Sequence, residues 1–271
     1  MEFNCCCRTE PRARHFRGDR QLASVAILPL IFGVIGLGTV TVLPTRGLSQ
    51  ESTTDSGTEK SVEDRAEEQV DCENPELRRE LLNRVQRDQQ ARHELLEWMR
   101  ENPGQLERSG SSPEDLPAAL VAVQKIDEEN LQWIRKQIEQ GGWPTHAQVS
   151  QDGAHAAWLI VQHCDKDPKF QFHCLELMKA CPSDQVAQVD VAYLEDRVLL
   201  ARGEAQVYGT QVEQVDGKWQ PRSVVDPEKL DERRKAVGLP PIADYLKLVE
   251  RMQSGARESA EDKTKTSGDR K

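Results

Sequence analysis

Several signatures of catalysis are missing from this sequence, and each absence removes a class of function. Neither a Walker loop nor Gly-x-Gly-x-x-Gly occurs, so no glycine-rich turn is available to cradle a nucleotide's phosphates. There is no Gly-x-Ser-x-Gly elbow to present an activated serine. Zinc lacks its usual Cys-x-x-Cys or His-Glu-x-x-His spacing. Positive charge is also in deficit, with 36 Lys and Arg against 46 Asp and Glu and a formal net charge of -10. A nucleic-acid partner is therefore set aside, because such binding releases counterions through a basic footprint. Aromatic residues make up only 5% of the chain, and Trp98, Trp133, Trp143, Trp158 and Trp219 all fall between residues 98 and 219. The core is expected there.

The one long apolar run is at the start. Leu22 to Leu43 contains no charged residue and is about as long as the roughly 20 residues a helix needs to cross a bilayer. Arg8, Arg12, Arg14, Arg17 and Arg20 precede it, and the chain turns acidic after it with Glu51, Asp55 and Glu59. The positive-inside rule then predicts a cytoplasmic basic region over 1–21, a membrane segment over 22–43, and the rest of the chain outside the cytoplasm. Length favours a retained anchor; a cleaved signal is the alternative, with Gly47-Leu48-Ser49 as the small-x-small cleavage pattern near Ser49.

Residues 44–75 are expected to form a linker, since the stretch from 49 to 70 is too polar to bury the surface that would offset chain entropy. The tail over 253–271 has the same character. Between them, 76–252 is predicted to be one mainly α domain: a helical bundle with a short C-terminal β-hairpin.

Helical periodicity carries this prediction, and charges interrupt it. A first helix over about 76–100 aligns Leu77, Leu81, Val85, Leu95 and Met99, and Asp88 and Arg92 fall on the same stripe. A second, over about 114–139, is expected to start at Ser112-Pro113-Glu114 and to stop at Gly141-Gly142; its stripe contains Asp127, with Asn130 beside it. A third, over about 153–164, brings His163 onto the face of Leu159. A fourth runs over about 168–180. A fifth, over about 184–201, places Asp196 among Val189, Ala192 and Leu199.

Inward charges cost several kcal/mol each unless paired or hydrogen-bonded, so ionisable residues on four of five stripes imply mutual contact. The expected site is a polar cluster of Asp88, Arg92, Asp127, His163 and Asp196. Beyond the fifth helix, Asp216-Gly217 predicts a hairpin between Val212–Val215 and Lys218–Val224. Asp226-Pro227 opens a further helix ending near Gly238, and Pro240-Pro241 leads into a last one with Ile242, Tyr245, Leu246, Val249 and Met252.

A set of ordered residues also matches a known pattern. Asp88-Gln89 with Arg92, Asp127 with Asn130, Gly142-Trp143-Pro144, Gln162-His163 with Asp165, Gln171, Asp196-Arg197, Gln206 with Tyr208-Gly209-Thr210-Gln211, and Arg233-Arg234 with Gly238-Leu239 together resemble the bacterial domain of unknown function 6624, over roughly residues 76–249. The resemblance implies no activity. In that pattern Ala commonly follows the His, where this chain has Cys164.

Cys5, Cys6 and Cys7 precede the membrane segment, whereas Cys72, Cys164, Cys174 and Cys181 follow it, an even number compatible with two disulfides. Cys174 and Cys181 lie two turns apart, roughly 10 Å along a helix, too far to bridge within it. Two functions fit the residues. The first is a non-catalytic envelope module in which the cluster fixes the helices and the ribbon meets a protein or small molecule. The second is a hydrolase, with His163 as general base, Asp196 or Asp127 orienting it, Arg92 steadying negative charge, and a water in place of the missing nucleophile. A metal held by Asp127, His163 and Asp196 would be a variant of it. A cluster sealed from solvent would count against the second.

Overall fold

The computed structural model describes residues 71–108 and 115–252. The predicted basic region, membrane segment, most of the linker and the tail lie outside these residues. So does the expected helix start at Ser112-Pro113-Glu114.

Helix α1 spans Pro75–Glu101. Asn74 starts it by accepting the Leu77 amide at 3.0 Å, and Pro75 sits where its missing N–H costs nothing. A single turn, α2 (Gln105–Arg108), follows. Helix α3 (Ala118–Gly141) begins four residues later than the sequence predicts. Pro117 is the reason: it sits at φ -56°, ψ 139°, an extended conformation that a helix can only follow. Gly142, at φ 74°, ends the helix in a conformation costly for other residues.

Helix α4 (His146–Gln162) starts earlier than predicted because Thr145 and Gln148 form a reciprocal capping box. A break at Ser150, φ 61°, separates that first turn from the main segment, which is the part visible as apolar periodicity. From Gly153 to Cys164 every residue but His155 is buried, which makes α4 the central helix. Gly153 lets it lie close to α1: a Cβ there would stand 2.8 Å from the Val149 Cβ and 3.2 Å from the Arg78 Cγ. Helix α5 (Pro168–Ala180) matches its prediction, with Asp167 accepting the Phe170 amide at 2.9 Å. Helix α6 (Gln188–Ala201) starts four residues later than expected.

Helix α1 packs on α3 and α4, and α5 packs on α6. The main core gathers Leu81, Ile134, Trp158, Leu159, Ile160 and Leu194. Each such side chain contributes about 1.5–3 kcal/mol by leaving water. A smaller cluster of Ala91, Leu95, Leu106, Leu120 and Val123 closes the far end of α1.

The hairpin forms as predicted, although its second strand is shorter. Strands β1 (Val212–Val215) and β2 (Lys218–Pro221) pair antiparallel, with Val212 opposite Pro221 and Val215 opposite Lys218. Asp216 and Gly217 both have positive φ, 49° and 79°, as the tight turn between right-twisted strands requires. A 3₁₀ turn (Pro227–Lys229), α7 (Leu230–Ala236) and α8 (242–252) complete the described chain. Val212, Tyr245 and Val249 form a third small core between ribbon and α8. The domain is thus mainly helical with a two-stranded antiparallel hairpin near its C-terminal end. Among the described residues no helix is long and apolar enough to cross a membrane.

Candidate functional site

Asp88 and Arg92 are one turn apart on α1, so both side chains leave the same face. That face meets Asp127 from α3 and His163, the residue that ends α4. Arg92 is the centre. Its Nε donates to both Asp88 oxygens at 3.1 and 3.2 Å, and its terminal nitrogen bridges to Asp88 at 3.0 Å and to Asp127. Asp88 also accepts from Gln89 at 2.8 Å and stands 3.1 Å from the His163 Nδ1. Side-chain exposure is 2% for Asp88, 1% for Arg92, 3% for His163 and 11% for Asp127, so Asp127 is the most open of the four.

Burial sets the protonation states. It raises Asp127, and the neighbouring Asp88 and Asp165 add to that against the pull of Arg92, leaving this carboxyl at about 7. Burial would raise Asp88 too, but the charge and hydrogen bond of His163, and then those of Arg92, hold it well below the usual carboxylate range. Burial and the Arg92 cation push His163 down, against the opposing pull of Asp88. The neutral imidazole is thereby favoured, and Arg92 is a second positive charge that keeps Asp88 ionised. With its Nδ1 proton directed at Asp88, His163 has a bare Nε2 acceptor; this atom is buried and has no hydrogen-bond partner.

Residues 75–255 match the model of a family of unknown function, DUF6624. The chain belongs to this family. Comparison with curated proteins and with solved structures gives no match.

In this DUF6624 domain one expected member stands apart. Asp196 is fully buried, as its position on the apolar stripe implies, but its oxygens accept the backbone amides of Val207 at 2.8 Å, Tyr208 at 3.0 Å and Thr210 at 2.8 Å. It fastens the loop before the ribbon instead of orienting His163. Arg234, also fully buried, donates to the Tyr208 carbonyl at 2.6 Å, and the Tyr245 hydroxyl donates to that of Thr210 at 2.8 Å. Asp88 takes the orienting place that the sequence assigns to Asp196 or Asp127.

The expected metal set changes accordingly. Asp88, Asp127 and His163 each offer a ligand atom within 4.8 Å of the others. The Arg92 guanidinium already bridges the two carboxylates and supplies the positive charge a metal would bring. A thiol nucleophile is equally unsupported. Cys72, Cys164, Cys174 and Cys181 are free, Cys164 and Cys174 are buried, and burial pushes the Cys174 thiol up to about 12.

Sequence reasoning missed a second imidazole–carboxylate pair. His155 on α4 places its Nδ1 3.0 and 3.1 Å from the oxygens of Asp190 on α6, and its ring stacks on Trp158 with centroids 4.8 Å apart. The available signal was His155 and Trp158 at helical spacing on α4, facing Asp190 and Tyr193 at the same spacing on α6.

Proposed function

We propose that the chain is a membrane-tethered or exported envelope protein whose folded part is a non-catalytic binding or structural module held together by the Arg92-centred network. The observation that carries this reading is the sealing of the cluster: Asp88, Arg92 and His163 are all buried, and Asp88 is saturated by Arg92, Gln89 and His163. A network of this kind joins three helices in one register, and removal of any member leaves a buried charge or polar atom without its partner. The uncharged run over 22–43 and the arginines before it support the tether.

His163→Ala tests the module. Loss of a structural member is expected to lower the melting temperature by several degrees. An unchanged or higher melting temperature would overturn the reading. Carbonate extraction tests the tether: a retained anchor stays with the membrane pellet and a cleaved signal releases the protein, whereas cytosolic fractionation of the intact chain would remove both.

A water-activating hydrolase is the second reading, and one feature favours it. The network is satisfied except at the His163 Nε2, the atom a general base would use, with Asp88 behind it as in acid–base dyads. On this reading Asp127, at about 7, is the proton donor and Arg92 stabilises negative charge. A hydrolytic rate abolished by His163→Ala with melting unchanged would favour it over the module.

A further inference from the structure

We propose that the His155–Asp190 pair is a proton-dependent clamp between α4 and α6, closed while His155 carries its second proton and loosened when that proton leaves.

His155 is the one residue from Gly153 to Cys164 that is not buried, and its side chain is 30% exposed where that of Asp190 is 7% exposed. The ring can exchange protons with water; the carboxylate it holds is largely shielded from it. Asp190 lies in the first turn of α6, and that helix has no side-chain cap. His155 is the hydrogen-bonding side chain that reaches Asp190 across the helix interface. A protonated imidazole compensates the buried carboxylate by charge and hydrogen bond together. A neutral one leaves only the hydrogen bond, at a site where an under-compensated charge is expensive.

Few other groups bear on the pair. Asp190 faces His155 and, more weakly, His146, whose Nδ1 lies 2.8 Å from the Asp184 carbonyl. Trp158 stacks on the His155 ring, and Tyr193 meets Trp158 edge-on from α6 at 6.0 Å. The charge that acts on His155 is that of Asp190. Burial lowers His155, but the hydrogen bond and charge of Asp190 outweigh it, so the imidazole is raised. Burial also raises Asp190, more than His155 lowers it.

Both shifts have the same sign. The folded pair binds more protons than the unfolded chain: the Asp190 component is lost as pH rises through its folded carboxyl, and the His155 component, which is the clamp, as pH rises through the folded imidazole. The contact that loosens is that of the first turn of α6 with α4, on the helix that also carries Asp196 and its hold on the loop over 207–210.

The experiment is a pH series on the full chain, following the His155 ring resonances by NMR and α6 amide exchange corrected for intrinsic rate, with His155→Gln beside the wild type. The wild type is expected to show His155 titrating above the ordinary imidazole value, with α6 protection lost in step. His155→Gln, which keeps a donor but not the charge, should have a flat α6 profile through that range. An imidazole titrating at or below its ordinary value, or parallel α6 profiles in the two proteins, would overturn the clamp. The wild-type titration alone decides if the variant does not fold.

Discussion

The domain contains two imidazole–carboxylate pairs on its central helix, and they behave oppositely. His163 and Asp88 are sealed beside Arg92; His155 and Asp190 lie at the rim with no arginine. Burial disfavours the imidazolium in both. In the first pair the Arg92 cation adds to burial and the ring stays neutral, whereas in the second the carboxylate wins and the ring holds its proton more tightly. Geometry at the Nδ1 is almost the same, near 3 Å. What separates the pairs is the deeper burial of the His163 ring, 3% exposed against 30%, together with the third charge beside it. A histidine next to an aspartate is thus insufficient information for assigning a protonation state.

The largest effect should come from removing that third charge. Arg92→Met would leave Asp88 and Asp127 buried without a cation and is expected to cost about 3–5 kcal/mol, the range for breaking a buried pair. Urea unfolding reads it directly. The same variant should let His163 bind a proton more readily, because the nearest cation opposing its imidazolium is gone; an unchanged His163 titration would mean that burial alone holds the ring down.

Asp127→Asn comes next and works through pH. The Asp127 carboxyl rises from an ordinary value of 3.8 to about 7 in the fold, so the folded state holds a proton that the unfolded chain has lost. Its contribution is complete below the unfolded value and is lost as pH climbs through the folded one, so wild-type stability should fall across that window. The asparagine variant cannot ionise, and the falling component should vanish. If chemical denaturation at several pH values gives the same slope for both proteins, Asp127 is not the shifted group.

Asp196→Ala sharpens the boundary of the sealed pair. Three amides lose their acceptor, which should cost on the order of 1–3 kcal/mol and show as faster exchange at Val207, Tyr208 and Thr210. The His163 titration should not move. A shift there would restore Asp196 to the cluster.

Much of this arrangement was legible in the sequence, and the failures have physical causes. Apolar periodicity places α1 and α5 within about a residue of their observed ends, and Asp216-Gly217 fixes the ribbon. The burial of Asp88 and Arg92 follows from their place on the stripe of α1, and that of Asp196 from its place on the stripe of α6. Periodicity tells which way a side chain points, though, and not what it meets. Asp88 meets an imidazole and a guanidinium, while Asp196 meets backbone amides that leave no trace in residue type. Helix starts slipped where local chemistry overrode the stripe: Pro117 delays α3, and the Thr145–Gln148 box precedes the apolar part of α4. The His155–Asp190 pair escaped notice because its two members lie on helices whose relative rotation only packing determines.

The smallest expected effect is the response to salt, and it bears most directly on why the two pairs differ. At about 1 M salt the screening length contracts to roughly 3 Å, which weakens charges that water and ions can approach and spares those they cannot. The His155 ring is partly open to solvent, while Asp88, Arg92 and His163 are closed off. Added salt should therefore narrow the melting difference between wild type and His155→Gln at acidic pH and leave that between wild type and His163→Ala as it was. Equal narrowing in both would mean that ions reach the central cluster, and the sealing on which the module reading depends would be lost with it.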